Sequence, residues 1–307
     1  MGEERGRLLD RIGRMLWIVL TAVAAPLQVA RNALQRGLVG DAGPWGATLV
    51  RFLFGLPFSV AIFVVVALLT PDAAPHASGR FWIAVSVGAF GQVLQTALLL
   101  LAMRRSGFAV ATFMQQTNLP LAALFGWFVF SDAMSPGAWA GLVAATVGLS
   151  ILSWPREGFG QGAWIGSALG VGSGAAMAVV LNAYRQAGLA LEPQHPIFAA
   201  TAAVCVAQGL QSLGLTAILA VVKPSALRAV AVSWRESLGA GFCGSAASAF
   251  WFSALALAPA GQVRAVGVVE LPIAAAAGRG LFKERLSLRQ AVGGVATGLG
   301  VVMTALL

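Results

Sequence analysis

Charge is what this sequence has least of. Of its 307 residues only 10% are Asp, Glu, Lys or Arg, and 58% are hydrophobic. A typical soluble domain carries about 25% charged residues and about 45–50% apolar ones. Mean hydropathy is +0.83. One globule cannot hide so much apolar surface, because a folded chain of this size still exposes a large area. The solvent is lipid. A soluble enzyme, a disordered chain and a nucleic-acid-binding domain are excluded. The basic excess, 20 Lys and Arg against 11 Asp and Glu, is scattered singly between apolar runs and forms no patch. Such residues mark helix ends and contacts with anionic lipid headgroups, so no nucleic-acid partner is expected.

Cysteine and histidine are nearly absent. Cys205 and Cys243 both fall inside apolar runs, as packing residues would, and no disulfide-stapled fold is implied. His76 and His195 each sit beside a proline with no second ligand at metal spacing, so no metal site is expected. No GxxxxGK[ST] occurs, and no cofactor is expected. A lipid-modifying enzyme would want clustered His, Asp or Glu near a membrane face. The chain has no such cluster, so it reads as no enzyme.

What is present is a series of apolar runs. A membrane-spanning helix needs about 20 residues. Cutting at charges, Pro and Gly gives ten runs, at about 15–35, 44–69, 81–103, 107–130, 137–154, 162–184, 196–222, 236–257, 260–281 and 288–306. Arg5, Arg7, Arg11 and Arg14 before Met15–Ala25 resemble a signal peptide. The run nevertheless continues past Pro26 into Gln28, Arg31 and Asn32 without a cleavage site, and it reads as a span. Short links such as Ser131–Pro136 make neighbouring helices antiparallel.

The chain also repeats itself. At a shift of 152 residues Leu119–Gly148 falls on Leu271–Gly300 without a gap, with 11 of 30 positions identical and Asp132 on Glu284. The repeat occupies spans four and five, then nine and ten. Each half therefore holds five helices, and an odd number makes the second half enter the membrane from the opposite side. The predicted fold is an all-α membrane protein of ten helices, built as two inverted five-helix repeats around a central cavity. Its parts are a tail at 1–14, a first half at 15–154, a linker at 155–161 and a second half at 162–307. Inverted repeats suit alternating access, in which either half can open or close around a midplane site. Some channels share this symmetry.

Arg51-Phe52-Leu53-Phe54, the Pro120…Asp132 and Pro272…Glu284 segments, Lys283-Glu284-Arg285-Leu286-Ser287 and the Gly-rich last helix carry a family resemblance. Together they resemble the ten-helix EamA-like branch of the drug/metabolite transporter superfamily. The resemblance implies a carrier in a bacterial inner membrane, often an exporter of amino acids or other small metabolites. Asp132 stands where the family usually has Glu, and Glu270 where a neutral residue is usual. The four tail arginines against Arg36 in the first loop put the N-terminus in the cytoplasm, and ten spans return the C-terminus there. Loops seven and nine, with Lys223, Arg228, Arg235, Arg279, Lys283, Arg285 and Arg289, count the other way. The first helix and the resemblance decide for the cytoplasm.

Polar side chains at membrane depth usually face the bundle interior. Gln28, Arg31, Asn32 and Gln35 share one helical stripe. Gln92 with Gln95, Gln115 with Asn118, and Gln208 with Gln211 are each three apart, hence on one face. Interhelical hydrogen bonds would use such residues too. Four helices sharing the pattern point to a central polar cavity. Glu270 is the one acid clearly within a span, and the repeat sets it on Asn118, two residues before the shared proline. Pro26, Pro120 and Pro272 are candidate kinks, since proline leaves a carbonyl of the preceding turn free. Glu270 could bind a substrate amine or take up a proton, or pair with an arginine. Arg264 is a poor partner, six residues and about 240° round the helix. Arg31 could hold a carboxylate, and the two together suit a zwitterion. Trp17, Trp127 and Trp251 lie within spans and could wall an aromatic pocket; Trp251 is the one added to the site.

The expected function is therefore a secondary carrier, an exporter of a small amphipathic metabolite such as an amino acid, possible coupling to protons resting on Glu270. A passive channel or facilitator is the alternative, with a membrane-embedded lipid-modifying enzyme a more distant one. The expected partners are that substrate and the bilayer, in a monomer or homodimer.

Overall fold

The structure is a computed structural model that describes residues 2–153, 164–269 and 288–306. Among the described residues it is all helical: α1 (Gly2–Leu53), α2 (Leu56–Leu69), α3 (Gly79–Gln115), α4 (Asn118–Phe130), α5 (Pro136–Ser153), α6 (Trp164–Leu191), α7 (Pro196–Val222), α8 (Pro224–Val232), α9 (Trp234–Leu257), α10 (Ala260–Gly267) and α11 (Leu288–Leu306). Among these residues five segments are long and apolar enough to cross a membrane, and Met15–Arg31, Pro136–Ile151 and Val292–Thr304 are shorter apolar helices.

Two of the long helices double back. Gly43, with φ 69° and ψ 176°, breaks α1 between the first two expected runs. A Cβ on Gly244 of α9 would lie 3.3 Å from Arg31 Cδ and 3.4 Å from Arg51 Cγ. Twenty residues of straight helix would hold those two arginines about 30 Å apart. They meet one glycine because α1 returns on itself. α3 behaves likewise, although its helical bonding runs through the expected break at 103–107. Its first arm passes α6 in descending order, Gly88 at Tyr184 and Gly91 at Val180. Its second arm ascends, with Ser106 at Gly166, Met114 at Gly170 and Thr117 at Gly174. The chain reverses near Ser106 and then breaks again at Gln116 and Thr117, before Pro120.

Polarity is distributed from the inside out. Thr48–Leu69 has the highest mean hydropathy of the five segments, 2.7, yet only 17% of its window is buried. α9 has the lowest, 1.4, with 72% buried. In water this order would be reversed; in lipid the apolar helix is the outer one. α9 is rich in Gly, Ala and Ser, including Gly241, Gly244, Ser245 and Ser248, and such residues let backbones approach. α1, α6 and α7 pack around it, and α3 joins α6 and α7.

α5 and α11 form a separate pair. A Cβ on Gly148 would fall on the backbone of Thr297, and one on Gly300 on that of Ala145. Gly148→Val is expected to destabilise the protein by about 1–3 kcal/mol through overpacking. Gly298, whose Cβ would meet nothing within 4 Å, supplies the control. Thermal unfolding of both variants in nanodiscs checks this: Gly298→Ala should show no loss.

Candidate functional site

The cavity between the helices is small, about 40 Å³, and is walled by residues from both halves of the chain. At about 10–15 Å³ per water centre it has room for about three waters. α1 contributes Gln28 and Arg31 from one arm and Arg51 from the other. α3 contributes Gln92, α6 Tyr184, α9 Ser248 and Trp251, and α10 Arg264. Among the described residues no Asp or Glu lines it.

One wall is fixed by a polar knot. The Tyr184 hydroxyl donates to Gln92 Oε1 at 3.0 Å, and Gln211 Nε2 donates to the same oxygen at 2.8 Å. Gln211 also reaches the Ala89 carbonyl at 3.1 Å. The Tyr184 ring lies against Gly88, where a Cβ would be 2.6 Å from Cδ1, and against the Phe252 ring with centroids 3.9 Å apart. Glycine is needed at 88 for this close approach. Opposite, Arg264 Nε donates to Asn118 Oδ1 at 2.7 Å and its Nη2 to Gln116 Oε1 at 3.4 Å, which ties α10 to the break before α4.

Of the residues singled out from the sequence, Gln28, Arg31, Gln92 and Trp251 meet at this cavity. Gln95 and Gln115 instead both donate to Ser173 Oγ of α6, at 3.3 and 3.4 Å, while that hydroxyl donates to the Gln95 carbonyl at 3.0 Å. Gln208 likewise bonds Ser245, at 3.1 Å, so these are links between helices. Asn118 stands behind the cavity on Arg264. α1 carries Asn32, whose side chain lies outside the description, and passes Pro26 in helical geometry. Pro120 sits at the third position of α4, just after the break. Glu270 and Pro272 lie outside the described residues. Trp127 is 49% exposed, packed on Trp139, and faces away from the cavity.

Sequence reasoning missed Tyr184, the single tyrosine of the chain. A lone phenol in an apolar run has to find a hydrogen-bond partner, and that was the available signal. It set Asp132 in or beside a loop and named no partner for it. Asp132 receives Arg185 Nε at 2.9 Å and Nη2 at 3.2 Å, and Arg185 Nη1 donates to the Leu255 carbonyl at 2.9 Å. Ser131, left-handed at φ 56°, caps α4 and turns the chain so that Asp132 faces α6. Glu192 in turn accepts the Ala74 amide at 3.0 Å, and the His76 amide donates to the Leu191 carbonyl at 2.9 Å. Three turns, 70–78, 131–135 and 192–195, and the end of α9 are thereby tied together at one end of the bundle.

Residues 15–154 match the model of the EamA-like transporter family. The resemblance to that branch of the drug/metabolite transporter superfamily is thus shown over the first half of the chain. A solved structure, described only as the crystal structure of a protein, aligns with 94% of this chain and 96% of its own at a TM-score of 0.64. At 17% identity it shares the fold alone. No curated protein matches the sequence.

Two outcomes are expected at the tied end, both read by thermal unfolding in nanodiscs. Asp132→Asn removes a charge-assisted pair and should cost about 2 kcal/mol. Ser131→Gly relieves the left-handed strain and should stabilise by about 1 kcal/mol.

Proposed function

We propose that this multi-pass membrane protein, EamA-like over residues 15–154, is a secondary carrier that exports a small amphipathic metabolite such as an amino acid by alternating access. The observation that carries the reading is the cavity itself. It lies at the meeting of α1, α3, α6, α9 and α10, and its polar groups come from both halves.

Ten passes in two inverted fives accommodate the described segments. The reversals at Gly43 and near Ser106 divide α1 and α3 into two passes each. The 152-residue shift carries Gly148 onto Gly300 and Ala145 onto Thr297. The contacts come in the same exchanged pairs, Gly148 on Thr297 and Gly300 on Ala145. That reciprocity is what a two-fold axis between the halves produces. The shift also exchanges α3 on α6 for α9 on α1, two of the bundle's main packings.

In this reading the Arg185–Asp132 pair and the Glu192–Ala74 bond form a closed gate at one end, which is cytoplasmic if the tail arginines set the orientation. Opening requires Arg185 to leave Leu255, a residue whose side chain lines the cavity. Gate and cavity are therefore joined through α9. Glu270 is proposed as the coupling residue, taking up a proton as substrate leaves. The membrane is a bacterial inner membrane.

A proteoliposome uptake screen across amino acids, sugars and quaternary amines, with and without a pH gradient, tests the function. Glu270→Gln is expected to abolish accumulation driven by the gradient while leaving exchange across the membrane. Accumulation equal to the unmodified protein would overturn the coupling role. Flux that never saturates would replace the carrier by a channel.

A further inference from the structure

Among the described side chains that line this cavity, donors outnumber acceptors. Of the two side-chain amides on its wall, Gln92 Oε1 already takes two hydrogen bonds, from Tyr184 and Gln211, and Gln28 has a partner of its own. Arg31 and Arg264 have partners of their own and do not enter the argument. Two other donors do. Arg51 Nε is buried with no hydrogen-bond partner, its guanidinium lying 4.9 Å from the Phe52 ring centre. Trp251 Nε1 is also buried without a partner, in a side chain only 8% exposed. Both residues line the cavity.

A buried donor without an acceptor is costly, and more so at membrane depth where water is scarce. Both positions are held by packing. Gly267 admits the Trp251 ring so closely that a Cβ there would lie 2.9 Å from Cζ3. Gly244 receives the Arg51 stem. A guanidinium has a forked face that matches a carboxylate, and an indole adds a single N–H beside it. Met177, Val180, Leu181, Phe252, Leu255 and the ring of Tyr184 give the cavity an apolar side, while Gln28, Arg31, Gln92, Ser248 and Arg264 complete its polar one.

We infer that the transported substrate is a small organic carboxylate with an apolar body, its carboxylate held by Arg51 and Trp251. The carboxylate supplies the acceptors the two donors lack, and the body replaces water against the apolar walls. A positive charge on the substrate is not required. This assignment rests on the carrier reading and deepens it; it moves the anion anchor from Arg31 to Arg51.

The test uses the full-length protein in nanodiscs with probes sized to a space for about three waters: propionate, propionamide and propylamine, and alanine as a carboxylate that also carries an amine. Binding is read by calorimetry and by thermal shift. Propionate and alanine are expected to bind and raise the unfolding midpoint, and propionamide and propylamine to do neither. Arg51→Gln should weaken propionate by about tenfold or more. Trp251→Phe, which keeps an aromatic ring and removes the N–H donor, should weaken it by about fivefold. Propylamine binding as tightly as propionate overturns the inference, as does absence of propionate binding. Propionate affinity unchanged in the folded Trp251→Phe variant removes Trp251 from the anchor and overturns it as stated. Propionate counterflow in proteoliposomes separates the two readings. Binding without counterflow refutes the carrier and leaves the anion site standing, whereas counterflow of amines alone refutes the anion site and leaves the carrier.

Discussion

Lipid offers no hydrogen bonds. Every donor and acceptor at membrane depth must find its partner within the protein, and the arrangement of this bundle follows from that constraint. It explains why the most apolar segment, Thr48–Leu69, is the most exposed, and why α9, with its serines and glycines, is enclosed. It explains why Gln95, Gln115, Gln208 and Gln211 all end on a named partner in another helix. Against that background, two buried donors left open beside one cavity carry information that they would not carry in water.

Close backbone approach is the second requirement, and glycine meets it. At Gly244 two arms of one helix converge on α9, at Gly88 a tyrosine ring lies flat on α3, and at Gly148 and Gly300 two helices touch. Packing of this kind acts over short range, and lipid gives helices no hydrophobic reason to associate. The polar ties at the end of the bundle complement it. Arg185 joins α6, α9 and the turn after α4 through one planar cation, which a lysine could not do with the same geometry.

The all-helical, membrane-spanning character was more legible than the site. Run lengths and the 152-residue shift follow from composition and spacing along one chain, which sequence displays directly. The turns at Gly43 and near Ser106 fall where charge and glycine interrupt the runs. Gln28 and Arg31, which 3.6-residue periodicity put on one stripe of the first run, both line the cavity. What sequence could not decide is which polar face meets the cavity and which meets another helix: Gln92 and Gln95 sit three apart and do different things. Arg185 and Asp132 are 53 residues apart, with no periodicity to connect them. Arg264 was judged only against Glu270 on its own helix, while its contact with Asn118 comes from the other half of the chain.

Ser173 has a consequence for where water can lie in this bundle. A serine hydroxyl offers one proton and two lone pairs. Here the proton goes to the Gln95 carbonyl and the lone pairs to the Gln95 and Gln115 amides. Its valence is full. A water molecule at that level would have to displace one of three bonds, so the hydroxyl cannot serve as a step in a proton wire. Any chain of water through the protein has to bypass Ser173, which keeps the seam between α6 and the two arms of α3 closed at that level.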